Sequence, residues 1–455
     1  MMLSINPSTG EEIGRYPHHT DTEMGGALDA ARAAQASWRL QSPEDRTALL
    51  RALAALLRSR KQGLARLITL EMGKPITEAE AEIEKCAHTC DVYADQAPAW
   101  LGAVPVSAAI RDSAITFEPL GTVLAVMPWN YPFWQVFRFL APALAAGNAG
   151  IVKHAVNVPQ CAIAIEELVR NAGCPEGLFR CLRIDPPAVS KIIADDRIAA
   201  VTVTGSTRVG ALIAEQAGRA IKKQVLELGG SDPFIVLGDA DLEKAATAAV
   251  KARFTNVGQS CVNAKRFIVV EAVADRFVEL FVAKASALHS GNPLDRAVAI
   301  GPLARADLRD ALHRQVERTV AAGGKLLLGG TVPQGPGFFY PPTIVDHVSP
   351  DMAGFCEETF GPFAAIVRVA DEEDALRLAN QTEYGLAASL WTADAEHGRR
   401  LAARIDAGAV FVNAVVASDP LLPFGGTKRS GYGRELANFG MYEFVNIKTL
   451  CVEPA

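Results

Sequence analysis

The chain has 455 residues, 49% hydrophobic and 21% charged, with a formal net charge of −6 from 45 Lys+Arg against 51 Asp+Glu. That length predicts roughly three domains. The apolar content excludes a disordered or collagen-like chain, and the small negative balance excludes a basic field for nucleic acid.

The first twenty residues hold no positive run followed by an apolar one, so no signal peptide is expected. Ser42, Pro43 and Asp45 supply an N-cap, a proline at the first helical position and an acid at the third. Leu49, Leu50, Leu53, Leu56 and Leu57 follow at helical spacing, and Gly73 with Pro75 stops the helix. A second helix is expected over 76–100. Short extended stretches at 104–106 and 114–117, separated by Arg111, Asp112 and Ser113, predict a hairpin, either an arm that packs on another subunit or an ordinary surface hairpin.

From 121 onward, strands and helices alternate. Strands are expected at 122–127, 149–153, 178–184, 199–203 and 224–228, with helices at 133–146, 158–172, 187–195 and 207–219. Nearly all-apolar strands joined by helices predict a parallel sheet with helices on both faces, which places ligands at the carboxyl ends of the strands. A second α/β block follows. Its strands are expected at 233–237, 267–270, 325–328, 364–368, 387–391 and 409–413, and its helices at 241–254, 273–289, 372–380 and 394–405. The stretch 423–433 reads as an ordered glycine-rich loop.

Residues 119–152 carry one charge, Arg138, and imitate a membrane span of ~20 apolar residues. Gly121, Pro128, Asn130, Pro132, Pro142, Gly147 and Asn148 interrupt them too often for a lipid-facing helix, so a buried βαβ unit is expected and no membrane partner.

The eight cysteines are too sparse for a disulfide scaffold, and a reducing compartment, the cytoplasm, is expected. Cys86, His88 and Cys90 have no partner cluster to complete a zinc site, so no metal is expected. Cys86 and Cys90 read as i,i+4 neighbours on a helix. The dinucleotide fingerprint G-x-G-x-x-G is absent. The nearest candidate, Gly205, Ser206 and Thr207 after a strand, either caps a helix or presents backbone N–H groups to a phosphate.

Three segments carry the chemistry. Pro128, Trp129 and Asn130 lie at the carboxyl end of one buried strand, Glu227 and Leu228 at the end of another, and Gly258, Gln259, Ser260 and Cys261 follow a helix. They bring an amide donor, a carboxylate and a thiol, which are an oxyanion stabiliser, a base and a nucleophile for acyl transfer.

These segments, with 355–362 (FCEETFGP) and 423–426 (PFGG), resemble the aldehyde dehydrogenase superfamily, collinearly over essentially the whole chain. Lys153, His154 and Ala155, the run ELGGSDP at 227–233, and Ala417, Ser418 and Asp419 resemble a bacterial, NAD(P)-dependent succinate-semialdehyde dehydrogenase branch of it. The resemblance implies an α/β fold with a Rossmann-type cofactor domain (1–102 and 121–227), an α/β catalytic domain (228–433) and a small β oligomerisation element (103–120 and 434–455). A homodimer or homotetramer is expected, its C-terminal strand completing a neighbouring subunit's sheet.

Residue by residue, the resemblance implies Cys261 as nucleophile, Asn130 and the Cys261 backbone N–H as oxyanion donors, and Glu227 as general base. Lys153 matches the lysine at the adenosine ribose. Gly205 and Ser206 match the pyrophosphate turn, and Trp129 and Leu228 belong to the same pocket. Glu358 matches the carboxylate at the nicotinamide ribose and Phe360 the ring beside the nicotinamide. Many NAD-preferring members carry glutamate three residues after that lysine. Val156 stands there, so NAD or NADP is expected as cofactor.

The expected reaction is oxidation of succinate semialdehyde to succinate through a thiohemiacetal and a thioester. Arg138, about two helical turns beyond Asn130, is expected either to clamp the distal carboxylate or to form an internal ion pair. Trp134 and Ser418 complete the substrate set. Thr255 occupies a position where some enzymes of this activity carry a second arginine. Position 263, where some relatives carry a second cysteine as a redox lock, is Asn263. The rival readings are oxidation of another small aldehyde, a CoA-acylating semialdehyde dehydrogenase, which usually lacks a glutamate like Glu227, and a noncatalytic protein on the same scaffold.

Overall fold

The computed structural model describes residues 1–108, 110 and 112–453. Arg111, assigned to the turn of the expected hairpin, and the last two residues of the expected oligomerisation element lie outside the described residues.

The first sheet has six strands in the order Gly431–Tyr432, Lys223–Glu227, Ile198–Thr204, Thr122–Val126, Ala149–Lys153 and Phe179–Leu182. Apart from Gly431–Tyr432, the pairings are parallel. Val123, Leu124, Ile151 and Val201 are fully buried because helices cover both faces of a parallel sheet. Each such side chain contributes about 1.5–3 kcal/mol by leaving water.

The register aligns the carboxyl ends. Val126 pairs with Lys153 and Val203, and Thr204 with Glu227. Strand order reverses between Thr122–Val126 and Ile198–Thr204, and a crevice opens at that switch point. Asn130, Lys153, Gly205 and Glu227 therefore emerge on one edge.

The second sheet has seven strands: Lys325–Leu328, Thr343–Asp346, Phe363–Val369, Ala264–Val270, Asp232–Val236, Ala387–Trp391 and Ala409–Val412. Two separate apolar cores match the two sheets. One gathers residues mainly from 24–228, the other residues from 234–405. A third sheet is built from Val104–Val106, Asp112–Pro119 and Val445–Val452, the last two paired antiparallel over eight residues. Ile447, Leu450, Val104 and Val106 are exposed on it.

Several elements differ from expectation. The N-terminal helix is two helices, Pro43–Ser59 and Lys61–Met72, broken at Arg60. Its other signals hold: Ser42 accepts from the Asp45 N–H at 3.1 Å, and Gly73 ends the second piece at φ 80°. The strands Met2–Ile5, Glu12–Tyr16 and Thr343–Asp346 and the helix Ala306–Ala321 were not anticipated. Along that helix only Leu312, Val316 and Thr319 are buried, too few for a clear apolar period. Residues 423–433 are not merely a loop. Gly431 and Tyr432 add an antiparallel edge to the cofactor-side sheet, opposite Glu227 and Leu226.

Candidate active site

Cys261 follows the helix Leu242–Phe254 and the single turn Thr255–Gly258. Asn256 and Val257 hold left-handed backbone (φ 55° and 56°), and Gly258 continues it at φ 71°. A Cβ on Gly258 would stand 2.2 Å from the Gly361 carbonyl oxygen, so glycine is required there. Strain of this kind persists only where the surroundings over-determine the turn.

Two buried cations supply that determination. Arg253 donates to the carbonyls of Ala264 (2.9 Å), Gly258 (3.2 Å), Thr359 (3.2 Å) and Gly361, which ties the Cys261 turn to the segment bearing Glu358 and Phe360. Lys265, with no exposed surface, donates to the carbonyls of Ser260 (3.1 Å), Cys261 (2.7 Å) and Asn263 (3.3 Å). Asn263 in turn donates to the Ala252 carbonyl at 2.9 Å. Sequence reading did not single out these cations. For Lys265 the available signal was the pair of adjacent charges, Lys265 and Arg266, inside the otherwise apolar strand Ala264–Val270.

The amide of Asn130 meets this turn. Its Nδ2 donates to the Gln259 carbonyl at 3.0 Å, and the Asn256 side chain donates to the Asn130 carbonyl at 2.9 Å. His154 fixes the neighbouring strand end. Burial pushes it down to about 4, so it is neutral, with Nε2–H donated to the Pro132 carbonyl at 2.8 Å and Nδ1 accepting from Ala155 N–H at 2.8 Å.

Burial pushes the Cys261 thiol up to about 12; Arg138 and Lys265 pull it down, while Glu227 and Asp232 raise it further. The resting group is therefore a thiol at neutral pH. Glu227 is 1% exposed, and neither carboxyl oxygen has a hydrogen-bond partner among the described residues. Burial first, and then the nearby Glu435, hold it well above the usual carboxylate range. A neutral, unpaired acid beside a neutral thiol is a poised proton donor and acceptor.

The remaining residues line a crevice. Ser206 caps the helix Thr207–Arg219, and a Cβ on Gly205 would meet no atom within 4 Å, so the turn is open to approach. Thr207, Glu358 and Tyr384 face a groove of about 660 Å³ beside it. Leu228 packs so closely on Gly210 that a Cβ there would lie 2.2 Å from it. Glu358 accepts from the Gly230 N–H at 3.0 Å and lies 3.9 Å from Lys265. Trp129 and Phe360 meet edge to face at 5.8 Å. Lys153 ends its strand half-buried, and Val156 is exposed beyond it. An open helix N-terminus, a lysine, a carboxylate and two aromatic rings along one crevice fit a dinucleotide.

Two residues of the expected substrate set are engaged within the fold. Arg138, 2% exposed, is paired with the equally buried Glu435, donates to the Thr204 hydroxyl at 3.3 Å, and lies 4.8 Å over the Phe424 ring. Of the two expectations for Arg138, the internal ion pair is the one present in the structure. Thr255 donates its hydroxyl proton to the Lys251 carbonyl at 2.8 Å, at the end of its own helix. Trp134 and Ser418 do come together, bridged by Lys85, which sequence reading passed over.

The chain belongs to the aldehyde dehydrogenase family, whose model matches residues 1–450. Among its relatives, the succinate semialdehyde dehydrogenase of Escherichia coli (strain K12), described as using NAD(P)+, is 51% identical over 448 residues, 98% of this chain and 97% of that one. A probable NADP(+) succinate-semialdehyde dehydrogenase of Synechocystis is 48% identical, covering 99% of both chains. The crystal structure of succinic semialdehyde dehydrogenase from Streptococcus pyogenes in complex with NADP+ superposes with a TM-score of 0.98 at 37% identity, covering both chains fully.

Proposed function

We propose that this protein oxidises succinate semialdehyde to succinate, with NAD or NADP as electron acceptor. The observation that carries the chemistry is the half-buried thiol of Cys261 beside the unpartnered carboxyl of Glu227, with the Asn130 amide bonded into the same turn. The substrate follows from the names of the relatives and from the family.

Cys261 adds to the aldehyde carbon as its proton leaves, and Glu227, once ionised, is the acceptor that the crevice offers. Asn130 Nδ2 turns from the Gln259 carbonyl to the oxyanion, joined by the Cys261 N–H. One such donor is worth ~2.7–4 kcal/mol. A bound nicotinamide dinucleotide supplies hydride acceptance. Lys153, Gly205, Ser206 and Leu228 would hold its adenosine and pyrophosphate end, and Trp129, Glu358 and Phe360 its nicotinamide end. After oxidation, Glu227, having released the thiol proton to solvent, takes a proton from the water that attacks the sulfur-bound acyl carbon, and the thiolate of Cys261 leaves.

A carboxylate at 227 supports hydrolysis over transfer to CoA. The exposed apolar edge of the third sheet supports a homodimer or homotetramer, with 103–120 and 434–455 as its arm, 1–102 and 121–227 as the cofactor domain and 228–433 as the catalytic domain. Among the described residues no helix is long and apolar enough to cross a membrane, and a cytoplasmic location is part of the proposal.

The test is absorbance at 340 nm with a panel of aldehydes, each cofactor, and with or without CoA. Turnover of succinate semialdehyde without CoA, with either cofactor, is expected. Strict dependence on CoA, or no NADP turnover, would overturn the corresponding part.

A further inference from the structure

With Arg138 matched by Glu435, the substrate passage needs another cation if it is to hold a distal carboxylate. The helix Ile76–Trp100 and the turn that precedes it bring Lys74, Glu82 and Lys85 toward the Asn130 segment. Two of them pair with one another: Lys74 and Glu82 form a fully buried ion pair, and Glu82 also accepts the Phe133 and Trp134 N–H groups at 2.9 Å each. The third is Lys85. Its ammonium donates to the Ser418 hydroxyl at 2.6 Å and lies 4.3 Å over the Trp134 ring. No carboxylate of the described residues stands within ion-pair distance of it.

A half-buried ammonium with only a hydroxyl and an aromatic face for company is under-compensated. Burial pushes Lys85 down to about 8, and the nearby Arg138 adds to the effect, while Asp419 and Glu82 oppose it without pairing. Trp134 opens the helix Trp134–Ala145 four residues after Asn130, and Ser418 precedes the segment that carries Phe424 and Gly425 to the Glu227 carboxyl.

We propose that Lys85, with Ser418 as its partner hydroxyl, is the specificity residue that binds the distal carboxylate of a short ω-semialdehyde. A carboxylate entering between them accepts from the ammonium and from the hydroxyl, over the Trp134 ring. This deepens the succinate semialdehyde reading and rests on it.

The test compares succinate semialdehyde with butanal, which has the same number of carbons and no carboxylate, in wild-type, Lys85→Met, Lys85→Arg and Ser418→Ala holoenzyme. Charge-assisted hydrogen bonds of this kind predict that Lys85→Met lowers the ratio of kcat/KM for the two aldehydes roughly 10- to 100-fold. The loss should lie in KM for succinate semialdehyde. Lys85→Arg should recover most of it, and Ser418→Ala should lose less than Lys85→Met. A wild type without preference for succinate semialdehyde overturns the substrate reading itself. A wild type with that preference, retained in Lys85→Met or lost equally in Lys85→Arg, overturns the assignment of Lys85 alone.

Discussion

Replacing Lys265 with methionine tests how the nucleophile turn is held. The ammonium makes three hydrogen bonds to carbonyls of residues 260, 261 and 263 from a position with no exposed surface. Hydrogen bonds to a charged group contribute about 1.5–3 kcal/mol each, and methionine leaves the same carbonyls without a donor. Against this stands the desolvation of the ammonium, several kcal/mol, which the variant recovers. The net loss is about 2–4 kcal/mol. With an unfolding entropy of roughly 2.1 cal/mol/K per residue, the 455 residues give about 1 kcal/mol/K, so Tm falls by about 2–4 °C. Catalysis falls further, because a displacement of about 1 Å at a reacting group costs on the order of 10²-fold. Lys265 also lowers the Cys261 thiol, so alkylation by iodoacetamide at pH 8 should slow in the variant. Scanning fluorimetry, kcat/KM and the alkylation rate read the three effects. An unchanged Tm refutes the tether, and a lowered Tm with wild-type kcat/KM and alkylation refutes its role in positioning Cys261.

Glu227→Gln removes the proposed base, so steady-state hydrolysis of an activated ester such as p-nitrophenyl acetate should fall about 10²- to 10⁴-fold. An initial burst of p-nitrophenolate stoichiometric with Cys261 should remain but form more slowly, because Glu227 is also the acceptor of the thiol proton; a wild-type burst rate would remove that second role. Because the Cys261 thiol is pushed up to about 12, its alkylation in the enzyme without cofactor should rise tenfold per pH unit between pH 7 and 9; a plateau in that range would show a preformed thiolate. Glu78 accepts the Asn256 N–H at 2.6 Å and is pushed by burial up to about 7. Its folded form holds the proton more tightly than the unfolded form, so its contribution falls as pH rises through 7, by about 1.4 kcal/mol between pH 6 and 8. Glu78→Gln cannot ionise, so its Tm should gain on wild type over that range, and a constant difference would exclude the linkage.

Local pattern alone determined much of this protein. Period and punctuation located the helix Ile76–Trp100, the strand Ala149–Lys153, the helix Thr207–Arg219 and the strand Ala387–Trp391, because each is decided by neighbours a few residues away. The motifs around Asn130, Glu227 and Cys261 were legible for the same reason: each is a short run at the end of one element. Charge compensation was not legible. Whether Arg138 meets a substrate or Glu435 depends on a partner almost three hundred residues away, which no spacing reveals. Lys265 and Lys85 face the same limit. One is spent on carbonyls of its own turn, the other is left beside Ser418 across the fold. Burial sets the cost of an unmatched charge, and burial is a property of the packed chain. The sequence therefore determined which groups could do the chemistry, and the tertiary structure decided which of them remain free for it.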